Sequence, residues 1–290
     1  MSVSDFFEAL GKLSGLLFIV ASMLAMGLSL TVPMILAPLK NVRLVALALL
    51  ANFVLVPLLA YLITVIIPLD QSLQVGLIVL ATAAGAPFLP KLVAGAKGDI
   101  ALGVGLMVLL MVVTIIYMPL VLPILLPGVS VDPWAIAQNL IVLMLIPLAI
   151  GLLIRSHSPD AAAKWGPLMN KISGLAIIVL LVVGLGLNIS NILNLIGSLG
   201  ILALVLFIIG SFLIGFVLGG GKADIRNVTG LGTAQRNVSA AILVSAQNFP
   251  GTDTLPYVLV AAIVMLLILL PLAKRLGARQ ATDKTTQPAV

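Results

Sequence analysis

Between Leu13 and Leu272 the chain is a succession of apolar stretches, each about as long as a bilayer is thick, and that recurrence leaves little choice of fold. A hydrocarbon core about 30 Å deep takes roughly 20 residues of helix to cross. No water is available there for backbone N–H and C=O groups, so a spanning segment must close its hydrogen bonds within itself. Nine spans are read: near Leu13–Leu30, Leu44–Val65, an interrupted third at Leu73–Gly85 and Phe88–Ala96, Ile100–Leu126, Ala135–Ile154, Ile172–Leu187, Ile201–Leu218, an interrupted eighth at Thr229–Phe249, and Tyr257–Leu272. The residue balance agrees, with 62% hydrophobic and 8% charged against about 25% charged in a soluble domain. The expected fold class is an all-α polytopic membrane protein with a single transmembrane domain.

The loops give each span a direction. Lys40, Arg43, Lys97, Arg155, Lys164, Lys171, Lys222, Arg226, Lys274, Arg275, Arg279 and Lys284 occupy odd-numbered loops and the C-terminal tail. Even-numbered loops hold no Lys or Arg and carry Asp70, Asp132 and Asp253. Cytoplasmic loops collect basic residues, so the N-terminus is expected outside and the tail, 273–290, in the cytoplasm. Lys12 is the exception, outweighed by Asp5 and Glu8. The opening MSVSDFFEALGK has acids where a signal peptide has positive charge, and no cleavage site precedes the first span, so no processing is expected. The net charge of +6 is spread over alternate loops, which argues against nucleic acid as a partner.

Only Lys91 and Arg236 place a basic side chain inside a span, and each lies in an interrupted one. Every Asp and the single Glu fall in loops or tails, so neither cation has an acidic partner at membrane depth. An intramembrane charge is unfavourable by roughly 2.5–3.5 kcal/mol on insertion scales and points to function. In the third span, AAGAPFLPKLVAGAKGD sets Gly85, Pro87 and Pro90 before Lys91, and proline removes a backbone donor and clashes with the preceding turn. In the eighth, Gly230 and Gly232 precede Thr233, Gln235, Arg236, Asn237 and Ser239, and glycine loosens a helix by its backbone entropy. Both breaks are expected to line a cavity, because irregular backbone is tolerated in a bilayer only under protein or water. The two broken spans are five apart in a chain of nine and so run in opposite directions. Paired breaks in antiparallel halves point to a transport site at an inverted-repeat interface. The alternatives are two unrelated kinks, with Arg236 snorkelling to the headgroups.

Other chemistries find little support. The chain has no cysteine, which removes disulfides, thiolate metal sites and cysteine nucleophiles. His157, the only histidine, lies in the loop RSHSPDAAAKWG beside Arg155 and Asp160, as a solvated surface residue does. GLGTAQ lacks the strand–turn–helix setting of a dinucleotide fingerprint, and GGGKAD lacks the spacing of a P-loop. The ten methionines read as packing, and Gly174, Gly184 and Gly186 as positions of close helix approach. The chain is not expected to be an enzyme or to bind a metal cluster. An anion channel is the main alternative to a carrier, and loops this short leave no partner-binding domain for a receptor.

The order of elements, the two broken spans and the motif GTAQRNVSAA resemble the bile acid:sodium symporter family. The run VGLIVLATAAGAPFLPKLVAGAKGDIALGVGL is similar in layout to that family's first crossover, and the likeness extends from about Leu28 to Leu270. Ten-span bacterial members carry an extra N-terminal helix, so this chain resembles a nine-span form. The resemblance implies a core of spans 2–4 and 7–9 (about 44–126 and 201–272) against a panel of spans 1, 5 and 6 (about 13–30 and 135–187). It also implies a bacterial inner-membrane protein that imports an organic anion with sodium by alternating access, the substrate lying between core and panel at the crossover.

The chain departs from that pattern where sodium is held. Leu89 and Pro90 stand in place of a Ser-Asn pair, and Gly103 and Met107 in place of hydroxyls on the next span. A glutamate near the second break falls at or next to Gly232, a glutamine corresponds to Arg236, and an amide on the second span survives as Asn52. At about 5 Å in an effective dielectric of about 20, each fixed cation would repel sodium by about 3 kcal/mol. Lys91 and Arg236 are therefore expected to stand electrostatically where sodium does in the relatives. Half-helix N-termini favour anions, a guanidinium can hold a carboxylate in two bonds, and a desolvated lysine can lose its proton. Two mechanisms follow: proton coupling through Lys91 with Arg236 holding substrate, or anion diffusion with no coupling ion. The expected substrate-binding residues are Lys91, Arg236, Asn237, Gln235, Thr233, Ser239 and Asn52, with the breaks at Gly85, Pro87, Pro90, Gly230 and Gly232. No cofactor is expected, sodium being the open question; the partners are a small organic anion and the lipid bilayer.

Overall fold

The computed structural model describes residues 3–129, 131–187 and 198–286. The two N-terminal residues, the tail beyond Thr286 and most of the expected sixth loop lie outside the described residues. The main helices among the described residues are α1 (Val3–Ser29), α2 (Val42–Ile66), α3 (Gln71–Thr82), α4 (Leu89–Gly95), α5 (Ile100–Leu125), α6 (Pro133–His157), α7 (Pro159–Leu187), α8 (Gly200–Leu218), α9 (Ala223–Ala234), α10 (Val238–Asn248) and α11 (Thr254–Thr286). A short helical elbow, Val32–Leu36, joins α1 to α2. Among the described residues seven helices are long and apolar enough to cross a membrane. The pairs α3/α4 and α9/α10 stand where the interrupted third and eighth spans are expected. At 1.5 Å per residue, α3 and α9 each reach only about 18 Å, so neither spans alone. The chain is an all-helical polytopic membrane protein, with no strand among the described residues.

Several helices outrun their apolar stretches. α1 starts ten residues before Leu13, α7 includes much of the expected polar loop after His157, and α11 runs past Leu272 to Thr286. Hydropathy marks only the part of a helix that lipid covers, and Ala, Lys and Glu continue a helix readily in water. Loop polar residues also set where helices begin. Asp132 Oδ1 accepts from Trp134 N and Ala135 N, with Pro133 at the first helical position, and Asp99 Oδ1 accepts from Leu102 N. These are the N-cap bonds that Asp supplies to otherwise orphaned donors.

Packing divides the helices by neighbourhood. α1 lies along α7 and crosses α6, where Gly27 and Gly151 bring the two backbones together; a Cβ at Gly151 would stand 2.6 Å from Leu24 O. That pair replaces the close approach expected of Gly174 and Gly186, around which a Cβ would meet open space, while Gly184 does abut Leu259. On the other side α8 lies along α9, and α5 packs against α3, α4 and α9. α11 is pinned at its start by Thr254 Oγ1 donating to Ser72 O (3.1 Å) and by Tyr257 Oη donating to Gly200 O (2.9 Å). Large aliphatic residues such as Val65, Ile66, Ile124 and Val217 face outward, as lipid-facing positions do.

Two π-helical turns interrupt otherwise α-helical spans, Ala51–Leu55 in α2 and Ile141–Leu145 in α6. Each is followed two residues later by proline, Pro57 and Pro147. A proline clashes with the carbonyl four residues before it and cannot bond to it. In α2 that carbonyl is Phe53 O, and it is taken instead by Tyr117 Oη of α5 at 2.6 Å. The π turn, which re-aims side chains within a helix, is where Asn52 sits.

At the other end of the chain, Gln280 of α11 joins both broken spans. With its amide assigned the orientation that its neighbours satisfy, Nε2 donates to Ala96 O (2.9 Å) and Lys97 O (2.8 Å), just past α4, and Oε1 accepts from Asp224 N (3.1 Å), in the first turn of α9. Gln280→Leu should leave these backbone groups without partners. The expected loss is about 1–3 kcal/mol, read as a lower midpoint in thermal unfolding of the detergent-solubilised protein.

Candidate functional site

α3 and α9 run toward each other and stop, and α4 and α10 start from the same place. The unwound residues are 83–88 in one pair and 235–237 in the other. Buried backbone groups must find partners, and here each break supplies them to the other. Asn237 N donates to Ala83 O at 2.8 Å. Ala84 is held from α5, its N donating to Thr114 Oγ1 (2.9 Å) and its O accepting from the same hydroxyl (3.1 Å). Gly85 takes φ +79°, the left-handed region that glycine enters without penalty, and a Cβ there would strike the α5 backbone at Met111 N and at Met107 O (2.7 Å). The first break therefore leans against α5 at a spot where only glycine fits.

Arg236 joins the two breaks. Its side chain is fully buried, 0% exposed. Nε donates to Leu80 O (3.1 Å), Nη2 to Ala81 O (2.7 Å), and Nη1 to Thr233 O (3.0 Å) and Asn52 Oδ1 (2.7 Å). Leu80 and Ala81 belong to the last turn of α3 and Thr233 to the last turn of α9. The terminal carbonyls of a helix lack intrahelical partners and carry about half a negative charge. Two such ends meet at one guanidinium, so its charge is offset by dipoles in the absence of any carboxylate partner. Asn52 completes the set, its Nδ2 donating to Thr233 Oγ1 (3.2 Å) and Ala48 O (2.9 Å).

The residues beside Arg236 are buried but not satisfied. Gln235 is 4% exposed and its Oε1 has no partner; Asn237 is 0% exposed and its Nδ2 has none. Asn237 Oδ1 is used, accepting from Ala240 N as the N-cap of α10. Ser239 is buried in the first turn of α10. α10 is also the crossing helix that packs against α1 and α6.

A sequence profile described as the Sodium Bile acid symporter family matches residues 16–195, well over half of the chain. The protein is a member of the sodium bile acid symporter family. Among curated proteins none matches it. Membership makes it a transporter of the symporter type, embedded in the bilayer by its apolar helices. The matched region takes in the first break with Gly85, Pro87 and Pro90 and stops before the second.

The structure brings Asn52, Thr233, Gln235, Arg236, Asn237 and Ser239 into one buried neighbourhood and leaves Lys91 outside it. Lys91 is exposed on α4, its Nζ 5.5 Å from the centroid of the Phe88 ring. The enclosed setting expected for it is not there, because it faces away from the contacts that α4 makes with α5, α9 and α11. Arg236 makes no ion pair among the described residues, and four of its five N–H donors are engaged by the protein rather than presented to a ligand. The breaks also fall elsewhere than the glycines suggest. α9 runs through Gly230 and Gly232 to Ala234, and both are contact positions: a Cβ at Gly230 would meet Phe212 at 2.9 Å and one at Gly232 would meet Leu89 at 3.1 Å. Pro90 is the second residue of α4, where no backbone donor is needed. Thr114 was not anticipated, although a lone hydroxyl between MVV and IIY was the available signal. Thr114→Val should destabilise by about 1–3 kcal/mol by orphaning Ala84 N, while Thr114→Ser stays near wild type; thermal unfolding of the purified variants tests both.

Proposed function

We propose that the protein is a secondary carrier of an organic anion that binds at the crossing of the two broken spans. The observation that carries this reading is the pair of unpartnered buried polar atoms beside Arg236, Gln235 Oε1 and Asn237 Nδ2. A buried polar group without a partner is disfavoured by about 1–3 kcal/mol, and a ligand relieves that. Asn237 Nδ2 is a donor at the N-terminus of α10, an end that favours negative charge, and takes a carboxylate. Gln235 Oε1 is an acceptor and needs a donor, which a hydroxyl near the carboxylate supplies. Arg236 does not hold the substrate; it holds the crossing together. The same reading makes α1, α6 and α7 the panel and the remaining helices the core. That division is supported by the mutual packing of α1 with α6 and α7 and by the contact of α10 with α1 and α6. Alternating access then moves one group past the other across the substrate, with the N-terminus outside and the tail in the cytoplasm of a bacterial inner membrane.

Proteoliposomes test the reading through counterflow of labelled carboxylates. Hydroxylated carboxylates should show saturable uptake that is accelerated by the same compound inside, and a flux that neither saturates nor exchanges would point to a channel. Asn237→Ser keeps an oxygen for the α10 cap and removes the amide donor. It should fold as wild type and bind the transported anion at least about tenfold more weakly, the effect of losing one bond to a charged group. Unchanged affinity in a folded Asn237→Ser protein would detach the crossing from the substrate.

A further inference from the structure

We propose that the Arg236 guanidinium is the resident cation of the crossing, so that the carrier cycles without binding or moving sodium. The inference rests on the transporter reading for its physiological meaning, but its evidence is separate from the substrate site. The oxygens that the two breaks direct inward are Leu80 O, Ala81 O and Thr233 O, with Asn52 Oδ1 beside them. All four already accept hydrogen bonds from the guanidinium, at 2.7–3.1 Å. These are the ligand types a hard monovalent cation needs, oxygens at helix ends and an amide carbonyl, and a tethered positive charge occupies them.

The positions at which the resemblance would put sodium ligands do not fit one. Gly232 faces Leu89, a Cβ at Gly103 would stand 3.0 Å from Val93 Cγ2, and Met107 is buried among apolar neighbours. Leu89, where a hydroxyl is expected, is itself buried. Among the described residues no group of three or more acidic or histidine side chains gathers anywhere. A free cation about 5 Å from the guanidinium, at an effective dielectric of about 20, is disfavoured on the order of a hundredfold. A covalently held cation is present in every conformation the crossing adopts. The two helix ends therefore remain neutralised through the cycle, and no ion needs to enter before the substrate or leave after it.

The test uses the full-length protein in detergent, without substrate, so that it stands whether or not an anion is carried. Thermal midpoints are measured in sodium chloride and in choline chloride at equal ionic strength, together with equilibrium binding of radiolabelled sodium. The expected result is equal midpoints and no saturable sodium binding. A site with a Kd of about 10 mM would shift the folded-to-unfolded ratio about twentyfold at about 200 mM sodium, and a shift of that kind, absent with choline, overturns the proposal. Arg236→Gln should lower the midpoint and Arg236→Lys should restore part of it through charge alone; an Arg236→Gln protein as stable as wild type also overturns it. If Arg236→Gln fails to fold, the wild-type comparison decides. Failure of the anion-carrier reading would appear instead as absent counterflow with the sodium result unchanged.

Discussion

A single buried guanidinium lets two helices end inside the membrane. The last carbonyls of a helix have no partners within it, and in hydrocarbon no water replaces them. At the crossing, the carbonyls of Leu80 and Ala81 from α3 and of Thr233 from α9 all bond to Arg236. The opposing dipole ends and the charge offset one another, so a group that would be strongly disfavoured in lipid is held here by polar atoms that would themselves be disfavoured without it. Neither broken helix nor buried arginine is tenable alone. Together they form a closed set of bonds, extended by Asn52 and by the bond from Asn237 N to Ala83 O.

The surrounding helices are shaped to support that set. Pro57 loosens α2 into a π turn, Tyr117 takes the carbonyl it frees, and Asn52 is delivered to the guanidinium from the same turn. α5 holds the first break through Thr114 and through the close seat of Gly85 on its backbone. α11 ties the end of α4 to the start of α9 through Gln280. Two of the buried polar atoms left without a partner, Gln235 Oε1 and Asn237 Nδ2, belong to the residues flanking Arg236.

How much of this could be read in advance differs from residue to residue. The paired interruptions and the polar cluster around Arg236 were legible because charged and amide side chains within apolar spans are rare. Asn52 was legible only through the family resemblance. Lys91 shared the same sequence signature as Arg236, a basic residue in a broken span, yet lies exposed on a seven-residue helix. Gly230 and Gly232 looked like the break and instead allow α9 to pack on Phe212 and Leu89. The true boundary is marked by Asn237, a good N-cap residue, and that signal was available.

The sequence by itself determined that the chain is a bundle of membrane helices, in what order they come, and which two are discontinuous. Those properties depend on the composition of contiguous stretches, because a bilayer selects for length and apolarity one segment at a time. Tertiary structure alone decided what Arg236 does. Three of its four partners lie 155, 156 and 184 residues away, in Ala81, Leu80 and Asn52, and no local pattern distinguishes an arginine that awaits a ligand from one whose donors the fold has already taken.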